Sequence, residues 1–131
     1  MSNGRAMLEM YYAAWCSGDP DAVAAFFEND AVFEDLAFGA RFEGLDGVRT
    51  FAQITFAGVP DFHITPTQIL VDGEQAAAAW TMTGTFAADM AGIPATGQPF
   101  EIRASSIIAL RAGRILRMTD YWNPAALLPS G

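Results

Sequence analysis

The chain is short, acidic and rich in apolar side chains. Its 131 residues fit one domain, 1–131, that buries about two thirds of the surface exposed by the unfolded chain, and the 52% apolar and 17% charged residues are typical of a filled globular core. Fifteen acidic and seven basic residues give a net charge of −8, and no Lys or Arg cluster could follow a phosphate backbone, which argues against a nucleic-acid partner.

The first part of the chain has the spacing of helices. Apolar side chains recur every three or four residues over 5–17, which predicts an amphipathic helix ending at Gly18. Asp19 is a typical N-cap and Pro20 a typical first-turn residue, so a short second helix should follow. The apolar side of that second helix would be formed by Val23, Phe26 and Phe27.

A short strand and a third helix complete the first half. Residues 31–35 are interpreted as the strand, and the glycines at 39 and 44 suggest a bend after it. A third helix should then end near Pro60. Its buried side would carry Val48, Phe51, Ile54 and Thr55.

The second half alternates between apolar and polar residues, which is the period of strands. The dipeptide Asp72-Gly73 predicts a hairpin turn between the first two of these strands, and Pro124 should end the last one before a short apolar tail. The predicted strands cover residues 62–71, 75–86, 100–110 and 114–122.

Helices followed by four long strands predict an α+β domain. We expect a curved antiparallel sheet that wraps around the N-terminal helices as a cone, with its apolar inner face toward the first helix. Trp80 is the one large ring among small residues on its strand face, so the cone should enclose a hydrophobic pocket beside it.

Asp120 interrupts the apolar face of the last strand. The period of two places it in one row with Leu116, Met118 and Trp122, while Ile115 falls on the opposite face. Burial would raise the pKa of this carboxyl group, which makes a carboxyl usable as an acid or base near neutral pH. The alternative is a residue at the rim of the sheet that bonds to backbone amides.

Two N-terminal segments, YYAAWCSGDPDA from Tyr11 and NDAVFED from Asn29, resemble the start of proteins with the nuclear transport factor 2-like cone fold. Later segments are similar in order and spacing to its SnoaL-like polyketide cyclase branch. The resemblance implies the cone but no single reaction, because this fold carries cyclases, isomerases, epoxide hydrolases, dehydratases and binding modules. The later segments begin at Pro60 (PDF), Asp72 (DG, with Trp80), Pro94 (PATG) and Gly113 (GRILRMTDYW).

The resemblance also implies roles for side chains. In SnoaL-like cyclases an Asp on a late strand is the acid/base of an intramolecular aldol ring closure, and Asp120 is similar to it. In the related ketosteroid isomerase a Tyr on the first helix donates to the oxyanion and an Asp at the end of the first strand is the base; Tyr11 and Asp35 occupy those places. The isomerase's protonated acid should lie near Ser105 or Ser106, where this chain has only hydroxyls, so steroid isomerisation is not implied.

Taken by themselves, several candidates also fit structural roles. Asp35 suits the capping of the turn after its strand, Tyr11 suits a core aromatic stripe, and Ser106 could either donate to a carbonyl or bond to a neighbouring strand. His63, the one imidazole, is a weaker candidate. The expected pocket lining is Trp15, Phe33, Trp80, Met82, Ser106, Met118 and Trp122.

Neither a metal nor a cofactor is indicated. A single Cys, Cys16, allows no intrachain disulfide, and one Cys with one His provides no zinc cluster. No Gly-rich phosphate loop is present. Neither a basic start before an apolar run nor a long apolar segment occurs, so we expect a soluble, cytoplasmic protein with no membrane partner.

Two functions therefore compete. The first is a small cofactor-independent enzyme that uses Asp acid/base chemistry on a hydrophobic carbonyl-containing molecule, as a cyclase or isomerase. The second is a non-catalytic binding or dimerisation module of the same fold. Epoxide hydrolysis ranks lower, because Arg103 and Arg117 fall on the sheet face opposite Asp120. The resemblance implies that this outer face, which also carries Glu101, forms a homodimer.

Overall fold

The computed structural model of the protein describes residues 3–128. Over that range the chain forms three α-helices, six β-strands and one 3-10 helix, and none of these helices has the length and apolarity needed to cross a bilayer. The helices are α1 (Asn3–Ala14), α2 (Pro20–Ala24), α3 (Gly44–Gly58) and the 3-10 helix Pro124–Leu127. The strands are β1 (Phe27–Asp35), β2 (Ala40–Glu43), β3 (His63–Asp72), β4 (Gln75–Thr85), β5 (Pro99–Arg111) and β6 (Arg114–Tyr121).

The helices lie close to their predicted positions. The side chain of Asp19 caps α2 by accepting from the backbone N–H of Asp21 at 3.0 Å, and Pro20 begins that helix. The helix α1 ends earlier than predicted, because the next turn tightens into bonds such as Cys16 N to Ala13 O at 3.0 Å. Phe27 was predicted on the second helix but is the first residue of β1.

The sheet is mixed, not wholly antiparallel as predicted. Its strand order is β2-β1-β6-β5-β4-β3, and every neighbouring pair is antiparallel except β1 and β6, which run parallel. The parallel pair arises because the last strand returns to the open side of β1 after the chain has completed the β3–β5 meander. The α+β class is confirmed, with a curved sheet that does not close.

The short strand β2 lies where a bend was predicted. Its four residues pair antiparallel with β1, with Phe42 opposite Phe33. The strand lies between Gly39 and Gly44, both of which adopt positive φ angles of 65° and 71°. The glycines do mark turns, but the strand between them is too short to give an alternating signal of its own.

A bulge in β6 corrects one face assignment. Ala109 of β5 lies opposite Arg117 of β6, and the next residue, Leu110, lies opposite Ile115. Leu116 is therefore an extra residue of β6 with no partner on β5. Ile115 is fully buried, whereas it was predicted on the outer face, and Leu116 is only partly buried. Beyond the bulge the predicted faces hold, and Met118 and Asp120 both point into the core.

The core lies between the helices and the inner face of the sheet. Trp15, just after α1, packs edge-to-face on Phe51 of α3 at 5.8 Å between ring centroids and on Phe33 of β1 at 6.4 Å. Phe33 and Phe51 are themselves 4.8 Å apart. These aromatic contacts join the helical layer to β1, the strand that carries Asp35.

A close approach in the core gives a stability prediction. A Cβ atom on Gly84 of β4 would overlap Cγ1 of Val59, a buried and β-branched side chain. We expect Gly84→Ala to lower the free energy of unfolding by about 1–3 kcal/mol. Urea denaturation measures this, and the same substitution in a Val59→Ala background should cost less, because the overlapping methyl is gone. Equal costs in both backgrounds would rule out this overlap as the cause.

Candidate active site

Three polar side chains meet on the inner face of three neighbouring strands. Asp120 of β6 lies opposite Ser106 of β5 in the antiparallel register and opposite Asp35 of β1 in the parallel register. All three are buried, with exposed fractions of 7% for Asp120, 0% for Ser106 and 2% for Asp35. The strand pairing therefore gathers a hydroxyl and two carboxyl groups in a region otherwise lined by apolar side chains.

The hydroxyl of Ser106 connects this group to α1 and β4. It donates to Oδ1 of Asp120 at 2.7 Å, and its oxygen accepts from Nε1 of Trp80 at 2.9 Å and from the hydroxyl of Tyr12 at 3.0 Å. All four side chains are buried. Ser106 is thus the centre of a four-residue hydrogen-bond network.

Asp120 is a carboxyl group held close to neutrality. Burial raises the pKa of Asp120 to about 8, the hydrogen bond from Ser106 opposes that rise, and the negative charge of Asp35 adds to it. At pH 7 the group is therefore mostly protonated. A carboxyl with this balance can both donate and accept a proton.

Asp35 is surrounded by more donors. Its Oδ1 accepts from the backbone N–H of Phe38 at 3.0 Å, and its Oδ2 accepts from Nε1 of Trp122 at 2.9 Å. Burial raises the pKa of Asp35, while these bonds, Trp122 first, oppose the rise. Since both of its oxygens are already bonded, Asp35 is better suited than Asp120 to hold the negative charge of the pair.

The two tyrosines of α1 differ in position. Tyr12 faces Ser106 and the interior cavity, whereas Tyr11 is buried against Phe26 and Phe27, with ring centroids 6.0 and 5.6 Å away. Burial, followed by the negative charge of Asp120, raises the pKa of both phenols, so both stay neutral. Sequence reasoning named Tyr11 and missed Tyr12, because the helical stripe contains both residues and does not show which one reaches the sheet.

A small cavity of about 40 Å³, large enough to hold water, lies beside the carboxylates. Asp35 and Asp120 line it together with four of the predicted pocket residues, Trp15, Trp80, Met82 and Trp122. Phe33, Ser106 and Met118 are fully buried behind the wall. Sequence reasoning missed the lining residues Tyr12, Phe38, Phe51, Thr55, Val59, Phe62, Ile64, Met90, Phe100 and Leu127.

No cationic side chain lines the described cavity. Arg103, Arg117 and His63 are exposed, and Arg117 bonds to Glu34 at 3.1 Å outside the cavity. Within residues 3–128 no group of three or more His, Cys, Asp or Glu side chains is placed to hold a metal ion. The polar chemistry of the described lining therefore rests on carboxyl and hydroxyl groups, supplemented by the indole N–H groups.

Comparison with known protein families gives a match over almost the whole chain. The family model described as SnoaL-like polyketide cyclase matches residues 5–130. A curated relative, cyclase aurE of Calcarisporium arbuscula, is 29% identical over 104 residues, which is 79% of this chain and 74% of that protein.

Solved structures share the fold. A protein from Catenulispora acidiphila with a ketosteroid isomerase-like fold, solved with trimethylamine, superposes with a TM-score of 0.82 at 22% identity and covers 93% of this chain and 88% of its own. A nuclear transport factor 2-like protein of Burkholderia pseudomallei gives 0.80 at 16% identity and covers 98% and 100%. At these identities the likeness concerns the fold alone.

The buried carboxyl of Asp120 predicts a pH-dependent stability. Its folded-state pKa of about 8 lies above the ordinary value of about 4, so between these pH values the folded protein keeps a proton that the unfolded chain releases. The free energy of unfolding therefore falls as pH rises through this window. Asp120→Asn cannot ionise, so its stability relative to wild type should grow from about pH 4 to about pH 8, by a few kcal/mol in total, and then level off.

Urea unfolding at a series of pH values measures this difference. Asp72→Asn is the matched control, because Asp72 is an exposed carboxylate in the hairpin turn and Asn-Gly also suits that turn. The control should show no comparable pH-dependent gain. If the stability of Asp120→Asn followed the wild-type curve at every pH, the conclusion that Asp120 is a buried neutral carboxyl group would be wrong.

Proposed function

Because this chain belongs to the SnoaL-like polyketide cyclase family, we propose that it is a cofactor-independent enzyme in which Asp120 is the general acid/base for ring closure on an apolar carbonyl compound. The observation that carries the proposal is the buried carboxyl of Asp120 on the cavity wall, with a pKa raised to about 8. Such a group exchanges protons near neutral pH, which an exposed Asp does poorly.

The proposed reaction is an aldol addition within one molecule. Ionised Asp120 takes a proton from the carbon next to one carbonyl, and the C–H electron pair forms an enolate. The enolate carbon attacks a second carbonyl of the same molecule, a C–C bond forms, and the new alkoxide takes the proton back from Asp120. The carboxyl group ends as it began, so no external acid, base or oxidant is consumed.

The lining also supports a substrate class. Eight aromatic side chains line the cavity together with the carboxyl groups, and they favour a flat apolar molecule. They are those of Tyr12, Trp15, Phe38, Phe51, Phe62, Trp80, Phe100 and Trp122. The two carboxyl groups and the lack of a cationic side chain in the described lining disfavour carboxylate or phosphate groups at the reacting end. A neutral polycarbonyl compound fits both features.

Proton abstraction can be tested without the natural substrate. We expect the protein to accelerate deuterium exchange of the α-protons of 2-tetralone, a neutral bicyclic ketone, followed by proton NMR in D2O. Asp120→Asn should lose about 10²–10⁴-fold of the accelerated rate, because it removes the general base. Asp72→Asn should exchange at the wild-type rate.

A non-catalytic binding module is the second candidate, favoured by the small cavity volume. About 40 Å³ is too little for a bicyclic ketone unless the wall moves. If 2-tetralone shifted the indole N–H signals of Trp80 and Trp122 with no accelerated exchange, the binding module would be supported. If 2-tetralone caused neither a signal shift nor accelerated exchange, both the enzyme and the binding module would be contradicted for this class of ligand.

We also propose a homodimer formed through the outer sheet face. This face exposes apolar side chains on three strands, with exposed fractions of 58% for Leu70, 55% for Ile107 and 45% for Tyr121. A groove of about 540 Å³ lies along it, lined in part by Ala77 and Ala109. Exposed apolar side chains over small neighbours suit a self-complementary contact.

Sedimentation velocity tests the dimer. Wild-type protein at micromolar concentration should sediment as a dimer, and Ile107→Asp should shift it to monomer, because the charge would be buried without a partner. Met10→Asp, on an exposed position of α1, is the matched control and should remain dimeric. A wild-type monomer at all concentrations, or a dimeric Ile107→Asp, would contradict the proposal.

A further inference from the structure

We propose that Ser106 is a positioning residue that determines which oxygen of Asp120 exchanges the proton. Ser106 donates its single hydrogen to Oδ1 of Asp120. The exchangeable proton of Asp120 is therefore carried by Oδ2, on the side of the cavity. The catalytic meaning of this assignment rests on the proposed function. The hydrogen-bond assignment itself rests on the geometry of four buried side chains.

Counting hydrogens sets the direction of the network. Nε1 of Trp80 can only donate, so it occupies one lone pair of the Ser106 oxygen at 2.9 Å. The Tyr12 hydroxyl, at 3.0 Å, occupies the second. The hydrogen of Ser106 then has one remaining partner, Oδ1 of Asp120 at 2.7 Å, so the hydrogens of Trp80, Tyr12 and Ser106 each have an acceptor.

The reverse arrangement leaves one hydrogen without a partner. If a protonated Oδ1 donated to Ser106, the Ser106 hydrogen would have to turn to Tyr12, because Trp80 cannot accept. The Tyr12 hydroxyl would then need another acceptor, and its one hydrogen-bond partner among the described residues is Ser106. A buried hydroxyl hydrogen with no acceptor is costly. In the first arrangement the one hydrogen without a protein acceptor is that of Oδ2, which lies at the cavity, so the first arrangement is favoured.

The second oxygen of Asp120 faces open space. Oδ2 has no hydrogen-bond partner among the described residues. In that part of the chain every side-chain N or O atom that is sealed from solvent has a partner, so Oδ2 is not sealed. Asp120 lines the cavity, which is the open space beside it. Oδ2 is therefore the oxygen that a bound carbonyl compound can reach. The titratable groups that face Asp120 in the described structure are Asp35 on β1 and the phenols of Tyr11 and Tyr12 on α1.

The test measures the pKa of Asp120 by carboxyl-carbon NMR, which needs no substrate. Ser106→Ala removes the donor to the carboxylate, so the pKa should rise by about one unit or more above the wild-type value. Ser105→Ala is the matched control, because Ser105 is the adjacent residue on the exposed face and should leave the value unchanged. An unchanged pKa in folded Ser106→Ala would overturn the proposal.

Tyr12→Phe tests the direction of the bonds and covers the case in which Ser106→Ala does not fold. In the proposed arrangement Tyr12 only supports Ser106, so the pKa of Asp120 should stay or rise. In the reverse arrangement the freed Ser106 hydrogen would turn to Asp120 and lower that pKa, which would refute the assignment.

The pH profile of 2-tetralone exchange separates this proposal from the proposed function. If the enzyme proposal holds, the midpoint of the profile should move in Ser106→Ala by the same amount as the NMR pKa. A protein that exchanges no ketone, but whose Asp120 pKa still responds to Ser106→Ala, refutes the catalytic function and keeps the hydrogen-bond assignment. If the ketone is exchanged but the midpoint of the profile does not move in Ser106→Ala, the catalytic function is kept and the hydrogen-bond assignment is refuted.

Discussion

The parallel pairing of β1 with β6 is the constraint on which the site depends. It places Asp35 and Asp120 in register, and paired residues of neighbouring strands point to the same face, so two carboxyl groups share one apolar surface. In that environment both cannot ionise without a large cost. The donors around them resolve the conflict, since Asp35 accepts two N–H bonds and Asp120 accepts one hydroxyl. These contacts therefore favour an ionised Asp35 beside a protonated Asp120.

Local spacing was enough to predict most of the fold, because each long element has one apolar side. Helical spacing located α1 and α3, and alternation located the four long strands. The parallel pair and β2 escaped prediction for different physical reasons. Strand order depends on contacts between distant segments, and β2 has only four residues between two glycines. The bulge at Leu116 likewise has no local signal, because a single extra residue changes which face is buried without changing composition.

The sequence was enough to predict the two carboxyl groups of the candidate site but not the hydrogen bonds around them. Asp120 stood out because a charge in an apolar row is costly, and Asp35 was found through resemblance to ketosteroid isomerase. Ser106 was noticed as a polar exception, but its bonds to Trp80 and Tyr12 join three separate elements and could not be read from one strand. Which of two adjacent tyrosines reaches the sheet depends on the rotation of α1, and a rotation of that size lies within the width of one helical stripe.

Trp122 connects the electrostatics of the site to the lining of the cavity. Trp122 packs edge-to-face on Phe38 at 5.0 Å, both rings are partly exposed, and the indole N–H of Trp122 is one of the two donors that stabilise charged Asp35. A ring compound needs more room than the cavity provides, and a ring that displaced Trp122 would break that bond. Losing that donor would make the ionised form of Asp35 less stable and raise its pKa. The negative charge of the pair would then shift toward Asp120, the group that the proposed reaction needs ionised.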